Sequence, residues 1–145
     1  MGEEEKVPKP STAPEGVDPL LWAFAGLAES GFGMPVTLQI GGALLTGRII
    51  SSKQYLEGLA DGFAKANVLN EAGETQSEEV SRAMTESLVK GMSDLASKVG
   101  RMPYLHLTDA TIRSPDGNTV RLQAAVWRGR LDAVAGFVLG IPSDD

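Results

Sequence analysis

The stretch VTLQIGGALLTGRIIS, Val36 to Ser51, decides how this chain folds. Val36, Leu38 and Ile40 alternate with Thr37 and Gln39, which is the two-residue period of a strand with one face buried. Gly41-Gly42 then joins two β-rich runs as a two-residue hairpin turn, and Leu44, Leu45, Ile49 and Ile50 form the return strand. Gly47 interrupts that return strand where a sharp bend or a close backbone approach suits a residue without a side chain.

Upstream of the hairpin, Asp18 is an N-cap, Pro19 fits the first helical position, and Leu20, Leu21, Phe24 and Leu27 share a helical face until Gly31. A short helix over about 19–30 is expected. Residues 1–17 hold Glu3 to Glu5, three prolines and no hydrophobic period, the composition of a mobile tail. Downstream, YLHLTDATI follows Pro103, Ser114-Pro115-Asp116-Gly117-Asn118 signals a turn, and VRLQAAVWRG and RLDAVAGFVLGI read as two further strands. Residues 51–102 interrupt the strands with two amphipathic helices. Ser51 and Gln54 have capping-box spacing before Tyr55, Leu56, Leu59 and Phe63. Thr75 and Glu78 repeat it before Val80, Met84, Leu88, Met92, Leu95 and Val99. Gly58 and Gly62 weaken the first helix unless something packs closely there. The expected architecture is α+β: a single domain over 18–145, with 18–50 the helix and first hairpin, 51–102 an inserted helical hairpin and 103–145 the remaining strands. Together the strands make a small, strongly bent, five-stranded antiparallel barrel.

Composition removes several function classes. The 145 residues include no Cys and one His, so no disulfide framework, thiolate metal site or pair of histidines exists. No metal or other cofactor is expected. With 19 acids against 13 bases the net charge is -6, which argues against nucleic acid and anionic membrane surfaces. The acidic start MGEEEKVPKP is unlike a secretory signal and no run is long enough to span a membrane, so a cytoplasmic location is expected.

Candidate chemistry is sparse. His106 is the lone imidazole and points opposite to Leu105 and Leu107; it reads as an exposed or partly packed strand residue, or as a proton carrier. Asp109 and Asp132 are the carboxylates available to an acid–base pair, and each also fits a turn or strand end. Gly31-Phe32-Gly33 leads into a strand and Gly41-Gly42 joins strands, so neither opens a helix that holds phosphate. Two places suit interactions. Met84, Leu88 and Met92 form a stripe that is either a buried helix face or a contact for a second subunit or partner. Trp127-Arg128-Gly129-Arg130 is either a structural turn or a display of one aromatic and two guanidinium groups for a base or an acidic peptide.

The order helix, VTLQIGGALLTGRIIS, LHLTDA, VWRGRLDAV resembles an Sm-like barrel, a relative of the SH3-like barrels. A closer likeness covers most of the chain beyond the tail. Val36 to Ser51, Tyr55, Tyr104 to Leu107 and Trp127 to Gly140 are similar to the hairpin, helical Tyr, HL strand and closing W-RG block of the gas vesicle accessory protein U (GvpU) family. That resemblance implies a non-enzymatic accessory protein that self-associates and assists gas vesicle assembly or clustering. Its implied partners are further copies of itself and gas vesicle shell or other gas vesicle proteins. The Sm-like resemblance implies the alternative, a nucleic-acid-binding module using Arg113, Arg121, Arg128 and Arg130, although those four bases face five acids from 103 onward. The acidity lies mainly outside the strands: residues 1–18 carry five acids against two bases, and 51–102 eight against six. Contact is therefore expected from the nearly neutral β part and the helix stripe.

Overall fold

The computed structural model describes residues 12–65, 71–74, 77–99, 103–122 and 125–141. The first helix, α1 (Pro19–Glu29), starts where Asp18 accepts hydrogen bonds from the backbone N–H groups of Leu20 (2.8 Å) and Leu21 (3.4 Å). The two central strands, β1 (Pro35–Ile40) and β2 (Ala43–Ile50), pair antiparallel in a register running from Pro35↔Arg48 to Ile40↔Ala43. Gly41 and Gly42 form the expected two-residue turn, and Gly41 has φ 58°, a conformation favourable to glycine.

Next come α2 (Ser52–Lys65) and α3 (Glu78–Val99), then β3 (Tyr104–Arg113), β4 (Thr119–Arg121), β5 (Trp127–Arg130), a 3-10 turn over Leu131–Ala133, and β6 (Val134–Leu139). The capping box opening α2 is reciprocal: Gln54 N–H donates to Ser51 Oγ at 3.0 Å, and Ser51 N–H donates to Gln54 Oε1 at 3.1 Å. At α3 the cap is Ser77, whose Oγ accepts from Val80 N–H at 3.2 Å. Thr75, and the tail over 1–11, lie outside the described residues. Within the stretch expected as tail, Val17 is buried in the core.

The expected five-stranded Sm-like or SH3-like barrel is not what forms. Among the described residues six strands make one open sheet in the order β4-β3-β2-β1-β6, with β5 also on β3. The 3-10 turn carries the chain from β5 to β6 in three residues, so the two sides of the sheet approach each other, but no ladder joins them among the described residues. The sixth strand arises because the run VRLQAAVWRG is two strands. Asp109 sits at φ 54°, and the β2–β3 register shifts between Thr46 and Arg48 at Gly47. A Cβ on Gly47 would lie 3.0 Å from Thr108 O, the close approach its position suggests. This bulge divides β3, so residues 111–113 pair with β4 while 104–107 pair with β5.

One core joins these elements. Leu21, Trp22, Ala25 and Ala28 of α1 bury against Val36 and Leu38 of β1, Leu45 and Ile49 of β2, and Leu105, Leu107 and Ala110 of β3, with Val17 and Leu131 completing the cluster. The buried face of α1 is thus 21/25/28, rotated from the expected one, and Leu20 faces solvent. At the edge of this core Phe24 meets Phe137 edge-on, their ring centroids 6.0 Å apart. Burial of the Leu, Ile and Val side chains of this core drives assembly at roughly 1.5–3 kcal/mol each relative to exposure.

Candidate functional site

Alternation along β3 and β5 sorts their side chains onto two faces. Leu105↔Gly129 and Leu107↔Trp127 are register partners on the core face, whereas Tyr104↔Arg130 and His106↔Arg128 lie on the other. Trp127 packs against the core and lies over Gly129, where a Cβ would collide with the indole; the glycine of the Arg-Gly pair is thus a packing requirement of Trp127.

The opposite face is covered by α2. Tyr55 stacks on His106 with centroids 4.4 Å apart and planes 28° from parallel. Gly58 lets the helix come close: a Cβ there would lie 2.7 Å from Val126 Cγ1, whereas one on Gly62 would meet nothing within 4 Å. His106, read from sequence as exposed, partly packed or a proton carrier, is 6% exposed. Burial, and then the positive charge of Arg128, push its pKa down from 6.5 to about 4, so the imidazole is neutral at neutral pH.

The two guanidinium groups differ. Arg130 is exposed and forms a bidentate pair with Asp132, Nε to Oδ1 at 2.9 Å and Nη2 to Oδ2 at 2.6 Å. Hydrogen bonding to Arg130 holds the Asp132 carboxyl below its usual range and in turn raises Arg130. Arg128 is half-buried, its Cζ 3.9 Å from the centroid of the Tyr104 ring, and its buried Nε–H has no acceptor among the described residues. An Arg-x-Asp spacing was the sequence signal that separates them. Tyr55 was visible as a helix-face residue and as part of the family likeness, but its contact with His106 was not, because that contact spans the insertion.

On α3 the apolar stripe faces away from the rest of the fold. Ser81 and Thr85 are buried, with Thr85 Oγ1 donating to Ser81 O at 2.8 Å, while Val80, Met84 and Leu88 are 41%, 42% and 40% exposed. With Ala83 and Ser87 they line a shallow apolar groove. Met92 is half-buried. Candidate residues therefore fall in two places, Trp127, Arg128 and Arg130 on β5 and Met84, Leu88 and Met92 on α3, with α2 packing on both α3 and β3. The arginines proposed for nucleic acid do not converge: Arg121 and Arg113 sit with β4 at the far end of β3, on the order of 20 Å along the strand from Arg128. Among the described residues no group of three or more His, Asp or Glu side chains is placed to hold a metal ion.

The family model described as "Gas vesicle protein GvpU-like" matches residues 18–142, from the cap of α1 past the end of β6. The chain belongs to the GvpU-like gas vesicle protein family. That range contains both the α3 groove and the Arg128 cluster. Family membership makes its role a gas-vesicle-associated and non-enzymatic one in general terms. No curated protein matches the chain. Among the described residues no helix is long and apolar enough to cross a membrane.

Proposed function

We propose that this protein is a cytoplasmic gas vesicle accessory factor that self-associates through α3 and, as an assembly, assists gas vesicle formation or clustering by contacting shell or other gas vesicle proteins. The observation that carries this is the inverted burial of α3: two hydroxyl residues face inward while Val80, Met84 and Leu88 face out. A helix leaves an apolar stripe in water at a cost, which a partner surface removes. A second copy suits it. Val80, Met84 and Leu88 form a ridge at four-residue spacing, and Ala83 and Ser87 beside it form a furrow of small side chains. Two antiparallel copies can seat each ridge in the other's furrow, giving a self-complementary interface. Copies linked this way present several weak contacts to a gas vesicle at high effective concentration.

Light scattering across a concentration range, with co-sedimentation on purified gas vesicles, tests the proposal. The wild-type mass rises with concentration and the protein pellets with vesicles, whereas Leu88→Glu stays monomeric and pellets less. A strict monomer at high concentration that does not co-sediment overturns it.

A further inference from the structure

We propose that Arg128, with Tyr104, His106 and Tyr55, forms a carboxylate-recognition site at the seam between α2 and the β3–β5 ladder, and that its occupant is an acidic segment of a partner protein. The inference goes beyond the α3 reading and stands on a different face. Its first support is an uncompensated charge. The Arg128 guanidinium is half-buried, no carboxylate pairs with it among the described residues, and its Nε–H is buried without an acceptor. Arg130, two residues on, holds Asp132 through both arms of its fork. A partly desolvated charge without a counter-ion is costly, and an oxyanion at the exposed part of the guanidinium relieves it.

The second support is preorganisation. The Arg128 Cζ lies 3.9 Å from the centroid of the Tyr104 ring, a cation–π contact that restricts the guanidinium before any ligand arrives. Tyr104 and His106 alternate on the same face of β3, and Tyr55 fixes the His106 ring from above. With His106 neutral, the positive charge acting beside it is that of Arg128.

A lone fork matches one carboxylate. Phosphate backbones call for several cations, and here Arg113 and Arg121 lie at the other end of β3 in a chain of net charge -6. The third support concerns the partner's form. Among the described residues β5 pairs with β3 along one edge only, which leaves its other edge to an extended segment whose alternate side chains reach the Arg128 face.

Calorimetric titration of the full chain with a hexaglutamate peptide tests this, with acetate, inorganic phosphate and a single-stranded RNA as parallel arms. Hexaglutamate binds saturably and more tightly than the other three, Arg128→Gln weakens it at least about tenfold, and Arg128→Lys also weakens it because an ammonium group does not reproduce the stacked fork. Arg121→Gln removes the same charge at the far end of β3 and leaves the affinity within about twofold. Because Leu88→Glu lies on α3, it leaves hexaglutamate binding intact, so failure of the self-association reading and failure of this one are separable. Equal losses in Arg128→Gln and Arg121→Gln, tighter binding of phosphate or RNA, or no saturable binding at all each overturn the inference. If Arg128→Gln does not fold, the Nε–H resonance of Arg128 in the wild-type protein decides: a shift on adding hexaglutamate supports the site, and an unmoved resonance overturns it.

Discussion

Acidification acts on this protein through His106. In the unfolded chain the imidazole titrates near 6.5, whereas in the folded protein burial and the neighbouring Arg128 hold it near 4. The unfolded state therefore binds the proton first as pH falls. The contribution of the neutral imidazole to stability is complete above about pH 6.5, is lost progressively as pH drops toward 4, and is gone below that. Each unit of displacement corresponds to about 1.4 kcal/mol, so between pH 7.5 and 4.5 the loss approaches 2–3 kcal/mol. That is a large share of the stability of a domain of this size.

Carboxylates titrate in the same range, so the informative quantity is a difference. Urea unfolding of wild type and His106→Gln at half-unit pH steps isolates the histidine: the stability of wild type relative to the variant falls by about 2–3 kcal/mol from pH 7.5 to 4.5. In parallel, the His106 ring resonances titrate with a midpoint near 4. A difference that stays flat across that range, or a midpoint near 6.5, refutes the placement of His106 beneath Tyr55. Arg128→Gln removes the charge but leaves the burial, and so moves the midpoint part of the way back up.

Further substitutions test the packing and the α1 cap. Gly129→Ala puts a methyl group into the Trp127 indole and costs about 1–3 kcal/mol by thermal or urea unfolding; an unchanged midpoint contradicts the indole's position over Gly129. Asp18→Ala removes the acceptor of two α1 backbone donors and costs about 1 kcal/mol, which Asp18→Ser largely restores. Leu107→Ala, at a fully buried position on β3, costs about 2–5 kcal/mol, while Leu44→Ala on the exposed side of the hairpin costs far less.

Features set by near neighbours in sequence were legible. The Gly41-Gly42 hairpin, the Asp18 cap, the Ser51–Gln54 box and the Ser114–Asn118 turn each depend on contacts within a few residues. What depended on distant partners was not. VRLQAAVWRG reads as one strand because nothing local marks the break; the division is imposed by β3, whose bend at Asp109 faces the Gly47 bulge of β2. The same lack of distant information is why a barrel was expected where an open sheet forms, and why the expected face of α1 is one residue off. On α3 the four-residue period of Val80, Met84 and Leu88 was plain, but a period does not say which side a neighbour occupies, and α2 packs against the other one.

The element that connects these observations is α2. On one side it seats Tyr55 on His106 and admits Val126 at Gly58, which holds the β5 segment carrying Arg128. On the other it packs along α3, and that packing leaves Val80, Met84 and Leu88 outside. Gly58 costs the helix about 1 kcal/mol relative to Ala, so α2 accepts an intrinsic weakness in exchange for a close approach that a side chain would prevent. A helix stabilised by its contacts more than by its own propensity keeps its position only while both neighbours are in place. The groove on α3 and the guanidinium on β5 are thus held by one helix, and a displacement of α2 that unstacks Tyr55 from His106 disturbs both surfaces together.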